Sequence, residues 1–330
     1  MKNIVVIGGG TGSFVALSGL KTYVDKLHLD AIVTVADSGG SAKQERDEFG
    51  LLPVSDVRKA LLALSRDTDE RHQRMLRELF KYRFVNGQAG LRGGTFGNLF
   101  LVALSNVLGS EQEAIEEVEK MLQTEGSVIP VSLKTSNLVM EYENGQVIVG
   151  EHYLDNFPGD GTVAVNKLSL LPPLEANPKA IESIETADII ILPPGDLFAS
   201  VLVNFQVAGI KEALLKKSPK VFYAVNLMTK YGQTYDLTAR GHVDWVEKAI
   251  GMKLDKILIN NAPLPQEAIG LYEAEKDYPV VDDLEDDERI IRCDLLSQEI
   301  VKNEKGDSIK RSLIRHDPEK FGRAIISILD

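Results

Sequence analysis

Gly8-Gly9-Gly10-Thr11-Gly12 is the first place in this sequence where residue types and spacing point to chemistry. The run sits between a β-branched segment, Ile4-Val5-Val6-Ile7, and a stretch of helical character. Glycines at such a turn let backbone N–H groups approach an anion with no Cβ in the way. The helix N-terminus that follows adds a favourable partial charge. A Walker A loop is excluded, because no Gly-Lys-Ser or Gly-Lys-Thr follows at the required spacing. The pattern is close to the dinucleotide fingerprint, Gly8-x-Gly10-x-x-Ser13, with serine where the third glycine belongs. A tight turn without a ligand is the alternative reading of the same residues.

Two carboxylates could work beside that loop. Asp37 opens Asp37-Ser38-Gly39-Gly40-Ser41 at the end of a second strand-like run, where an acid could meet a ribose hydroxyl or carry a metal beside phosphates. Asp56 stands at the start of a helix in Pro53-Val54-Ser55-Asp56-Val57-Arg58. It or Ser55 could simply cap that helix. Alternatively, Asp37 and Asp56 together could hold one Mg²⁺ against a diphosphate, with Arg58 helping to neutralise the anion. Gly93-Gly94-Thr95-Phe96-Gly97-Asn98 is a second glycine-rich entry into a helix, and Asn98 could bond a sugar or base; close helix packing is the other explanation. Gly195-Asp196 and Asn226-Leu227-Met228-Thr229 each follow an apolar run, and Asp196 could be no more than an N-cap. None of the five histidines makes a metal-type spacing, and no Gly-x-Ser-x-Gly elbow is present.

The elements that must position these residues alternate between strand and helix. The first strand leads through the glycine turn to a helix over Ser13 to Val24, then to a strand over Ala31 to Ala36. Such a βαβ unit is parallel and right-handed. Helices are expected around Val57 to Leu64, Glu70 to Lys81, Phe96 to Leu108 (apolar almost all round, hence buried) and Glu111 to Thr124. Residues 127–175 read as a β-rich insert or flap. The α/β rhythm resumes with strands at Ala187 to Leu192, Lys220 to Val225 and Lys256 to Ile259. Helices are expected from Leu197 to Lys216, up to Ile250, and from Asp317-Pro318 onward. The expected fold is one α/β domain over 1–330, a Rossmann-like doubly wound, mostly parallel sheet with an embedded β-rich segment. Ligands bind beyond the carboxyl ends of strands in such sheets, where all four polar loops fall.

Composition narrows the partners. A net charge of −12 argues against a nonspecific nucleic-acid surface, which needs clustered Lys and Arg. The acidic run around Asp282 to Glu288 reads most simply as a solvated loop. Cys293 is the single cysteine, so neither an intrachain disulfide nor a cysteine-based zinc site can form. No apolar run approaches the roughly 20 residues that span a bilayer. The expectation is a cytoplasmic protein with no membrane partner.

Six blocks in order resemble the YvcK/CofD-like family: Val6 to Gly12, Val35 to Ser41, Thr95 to Leu99, Pro194 to Leu197, Asn226 to Thr229 and Arg315 to Pro318. The resemblance implies a Rossmann-like fold with a nucleotide-linked ligand at the strand ends. CofD members transfer 2-phospholactate from a guanosine diphosphate carrier to a deazaflavin with a divalent ion. YvcK members, the gluconeogenesis factors, bind UDP-sugars such as UDP-GlcNAc and affect carbon metabolism, cell shape and wall synthesis. On that basis Gly8 to Gly12 form the phosphate loop, Asp37 and Asp56 are the acids, and Asn98, Asn226 and Thr229 line the nucleotide or sugar. Tyr272 and Arg315 resemble the C-terminal ligand contacts of the YvcK group, and a homodimer is consistent with the family. Ser38 stands where the family usually has a second acid, and Gly94 where a histidine is common. These departures favour binding over catalysis. A CofD-like transferase is the second expectation, and a nicotinamide-dependent oxidoreductase built on the βαβ unit the third.

Overall fold

The computed structural model describes residues 1–36, 52–84, 93–154, 157–285, 287–300 and 312–329. Asp37, Ser38, Gly39 and Gly40 therefore lie outside the described residues. The chain begins with β1 (Lys2–Gly8), α1 (Gly10–Leu20), β2 (Leu27–Val33), α2 (Ser55–Leu64), α3 (Arg71–Lys81), α4 (Phe96–Leu108), α5 (Glu111–Leu122) and β3 (Ser127–Pro130). Three short strands follow, β4 (Asn137–Tyr142), β5 (Val147–Val149) and β6 (Val165–Leu171). The rest is α6 (Pro178–Thr186), β7 (Ile189–Leu192), α7 (Ile210–Lys217), β8 (Lys220–Ala224) and α8 (Ala239–Ile250). It ends with β9 (Lys256–Asn260), α9 (Gln266–Glu273), β10 (Ile290–Cys293) and α10 (Pro318–Leu329).

Seven strands form one sheet in the order β10-β9-β8-β7-β1-β2-β3, and every pairing in it is parallel. Strand β1 lies inside the sheet between β2 and β7, with Val6 opposite Ala31 of β2 and Ile191 of β7. The chain builds outward from β1 in one direction and then, from β7, in the other. That reversal makes a topological switch point between β1 and β7, the place where doubly wound sheets bind ligands. The expected Rossmann-like α/β fold is observed.

The period-two alternation of each buried strand divides the core between two faces. Val5, Ile7, Ile32, Ile190 and Leu192 point to one side, where they pack with residues of α7, α8 and the small antiparallel sheet β5-β4-β6. Ile4, Val6, Ala31, Val33 and Ile191 point to the other, against α1, α2 and α10. Helices α1 and α10 cross closely, since a Cβ on Gly19 would stand 2.0 Å from the Pro318 carbonyl oxygen. Of residues 127–175, β3 belongs to the main sheet and β4 to β6 form the small one. Tyr142 ties that small sheet to the loop after β8 by donating its hydroxyl proton to the Gly232 carbonyl at 2.7 Å.

Several elements differ from expectation, for identifiable reasons. Strand β2 starts at Leu27, because exposed His28 and half-buried Asp30 alternate with the buried Leu27 and Leu29 and break the apolar run. The single helix expected over Leu197 to Lys216 is a π-turn and a 3₁₀ segment followed by α7. There the buried Asn204 amide donates to the carbonyls of Ser200 and Val201, competing with a regular helical ladder. Helix α4 is buried on one face only: Gly97, Asn98, Leu101, Val102 and Ser105 are covered, whereas Val107 is 80% exposed. The acidic run is braced as well as solvated, with Asp282 bonded to Arg292 and Asp287 to Arg289.

Candidate functional site at the strand ends

The chain leaves β1 at Gly8, passes extended through Gly9 and enters α1 at Gly10, whose φ of +61° is the left-handed region. Gly9 is the N-cap and brings no capping side chain. The loop after β7 lies directly against this turn. A Cβ on Gly12 would sit 1.3 Å from the Pro194 carbonyl oxygen, and one on Gly8 would sit 2.8 Å from Pro193 Cγ. Backbone approach across the switch point requires glycine at Gly12, and the Pro193 and Ser13 side chains crowd Gly8. A Cβ on Gly10, by contrast, would meet only Ser200 Oγ, at 3.7 Å. Thr11 follows as the next residue of α1.

A third loop clasps the second. The Asn226 side chain accepts from the Gly195 N–H at 3.0 Å and donates to the Gly195 carbonyl at 2.7 Å. Asp196 takes an ion pair from Lys230 at 3.0 Å. Thr229 accepts from the Tyr278 N–H at 2.9 Å and donates its own N–H to the Tyr278 carbonyl at 2.7 Å, fixing the loop after β8 to the segment after α9. The structure thus brings Gly8 to Gly12, Gly195, Asp196, Asn226 and Thr229 into one connected set of strand-end loops.

Asp56 belongs to that set. Its buried carboxylate accepts from the Gly10 N–H through Oδ2 at 2.8 Å, although 46 residues separate the two. Its Oδ1 accepts from the Lys59 ammonium, also at 2.8 Å. Arg58 points elsewhere: its Nε donates to Asn98 Oδ1 at 2.8 Å, and a terminal nitrogen reaches the Phe80 carbonyl at 3.3 Å. Both Arg58 and Asn98 are buried, so this pair couples α2 to α4. Ser13 Oγ and Thr95 Oγ1, each in the opening of a helix beside these loops, are buried with no hydrogen-bond partner among the described residues.

A divalent ion on Asp56 would have to compete with the donors already there, and Asp37, the other carboxylate of the expected pair, lies outside the described residues. Mg²⁺ needs a carboxylate lone pair at about 2.0–2.1 Å, and Asp56 offers its oxygens to an N–H and an ammonium. Among the described residues no three His, Cys, Asp or Glu side chains converge as a metal site.

Tyr272 and Arg315 lie on the flank. Burial raises the Tyr272 phenol above its ordinary pKa, and its hydroxyl accepts from the N–H groups of Leu313, at 2.8 Å, and Ile314, at 3.3 Å. Tyr272 packs with Ile314 and Leu296 against Leu227 and Met228, so it supports the loop that carries Asn226 and Thr229. Half-buried Arg315 accepts the Ser297 N–H on its carbonyl at 2.9 Å. Burial pushes the neighbouring His316 imidazole down to about 4, so it is neutral near pH 7. Two further site residues, Lys59 and Lys230, escaped sequence reasoning. Lys59 had a usable signal, since i,i+3 spacing on a helix puts it beside Asp56. Lys230 had none, because its partner Asp196 sits on a different strand-end loop.

Fold and site together define a doubly wound α/β protein whose strand-end loops meet at the switch point of its sheet. The chain belongs to the family described as 2-phospho-L-lactate transferase CofD, which matches residues 4–301. A protein of Aquifex aeolicus is 39% identical over 336 residues, covering 99% of this chain and 97% of that one. The gluconeogenesis factor of Bacillus subtilis is 34% identical over 99% of this chain and 98% of its own. A crystal structure of a Bacillus halodurans protein superposes with a TM-score of 0.86 at 33% identity, covering 98% of this chain and 99% of that one.

Proposed function

We propose that this protein is a cytoplasmic nucleotide-sugar-binding regulator of carbon metabolism, cell shape and wall synthesis, and that it takes a UDP-sugar such as UDP-GlcNAc. The observation that carries the reading is the contact between the Gly8–Gly12 and Pro193–Gly195 loops at the switch point, beside the N-terminus of α1, whose N-cap Gly9 has no side chain. That geometry suits a diphosphate, which would meet backbone N–H groups and the positive end of α1. On this reading Asn226 and Thr229 line the sugar or base, with Tyr272 and Arg315 at the far side. The gluconeogenesis-factor names of relatives such as the Bacillus subtilis protein support a regulatory role.

Thermal unfolding with UDP-GlcNAc, UDP-glucose, GDP, GTP and NAD tests this. A ligand at 100 times its Kd adds about 2.7 kcal/mol of stability, a readable shift. UDP-sugars should stabilise the wild type but not Gly10→Ala, whose methyl group would stand in the open crevice at a backbone cost of about 1–2 kcal/mol. No response to any UDP-sugar would sink the reading. A Mg²⁺-dependent response to guanine nucleotides alone would favour the transferase instead.

A further inference from the structure

We infer that Ser200 is a binding residue for the ligand's phosphate: the wide turn after β7 holds its hydroxyl beside Gly9 and Gly10, where it supplies the donor that Asp56 has taken from the opening of α1. The inference rests on the diphosphate reading above and deepens it.

A phosphate at the opening of a helix is met by backbone N–H groups that no carbonyl of that helix engages. Here one of them already has a partner. The Gly10 N–H donates to Asp56 Oδ2 at 2.8 Å, and the Ser13 N–H closes onto the Gly9 carbonyl at 3.3 Å. The turn therefore meets an anion one donor short, at the residue where the chain enters α1.

Ser200 stands at that residue. A Cβ on Gly10 would meet only Ser200 Oγ, at 3.7 Å, so the hydroxyl borders the open side of the turn. Cβ atoms on Gly9 and Gly195 would lie 3.5 Å and 3.9 Å from Ser200 Cβ, so two loops present bare backbone to this one side chain. Ser200 belongs to the π-turn Leu197–Val201, and its backbone is fixed on both sides. Its N–H donates to the Asp196 carbonyl at 2.8 Å, and its carbonyl accepts from the buried Asn204 amide at 2.8 Å. The residue is 8% exposed, yet no hydrogen bond among the described residues takes up its hydroxyl.

Two other hydroxyls near the turn are not placed for this role. Ser13 Oγ is fully buried against Gly8, where a Cβ would stand 2.8 Å both from it and from Pro193 Cγ. Thr34 turns its methyl group to Gly9, and its hydroxyl accepts from the Ala36 N–H at 3.2 Å. A serine hydroxyl rotates to suit its acceptor. Ser200 can thus give its proton to a phosphate oxygen without adding a charge beside Asp56.

Two measurements test this. In a Cys293→Ser background, which removes the single native cysteine, Ser200→Cys sets a thiol at the site. Its alkylation by N-ethylmaleimide is followed without ligand and with inorganic pyrophosphate, the phosphate part of the ligand alone. The thiol should react, and excess pyrophosphate should slow the reaction about fivefold or more by occupying the seat. A thiol that does not react, or a rate that pyrophosphate leaves unchanged, overturns the inference. The second measurement is calorimetric titration of UDP and UDP-GlcNAc into wild type and folded Ser200→Ala. Both ligands should weaken by the same factor, about tenfold or more, as expected for losing a hydrogen bond to a charged group. An unchanged Kd for UDP, or a loss confined to UDP-GlcNAc, which would put the hydroxyl on the sugar, overturns it. If the wild type binds neither nucleotide, the functional reading above has failed and the thiol measurement alone decides this one.

Discussion

Two acids on α-helices flanking the same sheet, buried Asp56 and half-buried Glu119, meet opposite surroundings. Asp56 lies in the first turn of α2, at the carboxyl ends of the strands, and accepts from the Gly10 N–H and the Lys59 ammonium. Glu119 lies in the last turn of α5, beside the early residues of β2 and β3. It lines a depression of about 290 Å³ together with Asp30, Glu116 and Glu182. Its Oε1 accepts from the Val128 N–H, yet burial, helped by Glu116 and Asp30, lifts its carboxyl to about 7. Helix position works in the same directions, because a negative charge is favoured in a first turn and disfavoured in a last one. A covered carboxylate is well satisfied only where donors converge on it. The switch point supplies them and the opposite region does not.

The comparison breaks most sharply at Gly12. A methyl group there would collide with the Pro194 carbonyl oxygen, which is backbone and cannot rotate away. Gly12→Ala should lower stability by about 3 kcal/mol or more, read by urea unfolding. A variant within about 1 kcal/mol of wild type would mean that the two strand-end loops separate easily. Asp56→Asn should have the next largest effect. It keeps the volume but removes the charge that Gly10 and Lys59 bond, and leaves an amide N–H₂ facing a donor. A loss of about 2 kcal/mol is expected, since hydrogen bonds to charged groups contribute about 1.5–3 kcal/mol.

These residues were unequally visible in the sequence. The glycine turn, the strand-end loops and the central strands were legible because backbone needs and unbroken apolar runs leave local signatures. Strand β2 was placed too late because His28 and Asp30 are polar residues on a strand whose early part is buried on alternate positions only. The Asp56–Gly10 and Arg58–Asn98 bonds join residues 46 and 40 apart, and nothing local reports such pairings. The pairing of β7 with β1 is likewise long-range, and it is what brings the two loops together. Glu119 looked like any acid on an amphipathic helix, because its burial depends on the approach of Val128.

Glu119→Gln gives the smallest effect, and its sign distinguishes the two acids. The ordinary carboxyl value is 4.5 and the folded value is about 7. Between these values the folded protein holds a proton that the unfolded chain has released, so stability falls as pH rises through the window. Above pH 7 the native state carries an unfavourable buried charge, and below pH 4.5 the term vanishes. Glutamine cannot ionise and keeps an oxygen for the Val128 N–H. The variant should therefore match wild type near pH 4.5 and exceed it by about 1 kcal/mol at pH 8, allowing for solvent screening in a depression open to water. Thermal unfolding across that range measures the difference. A variant less stable than wild type at pH 8 would mean that the Glu119 carboxylate has favourable partners after all, and the contrast with Asp56 would collapse.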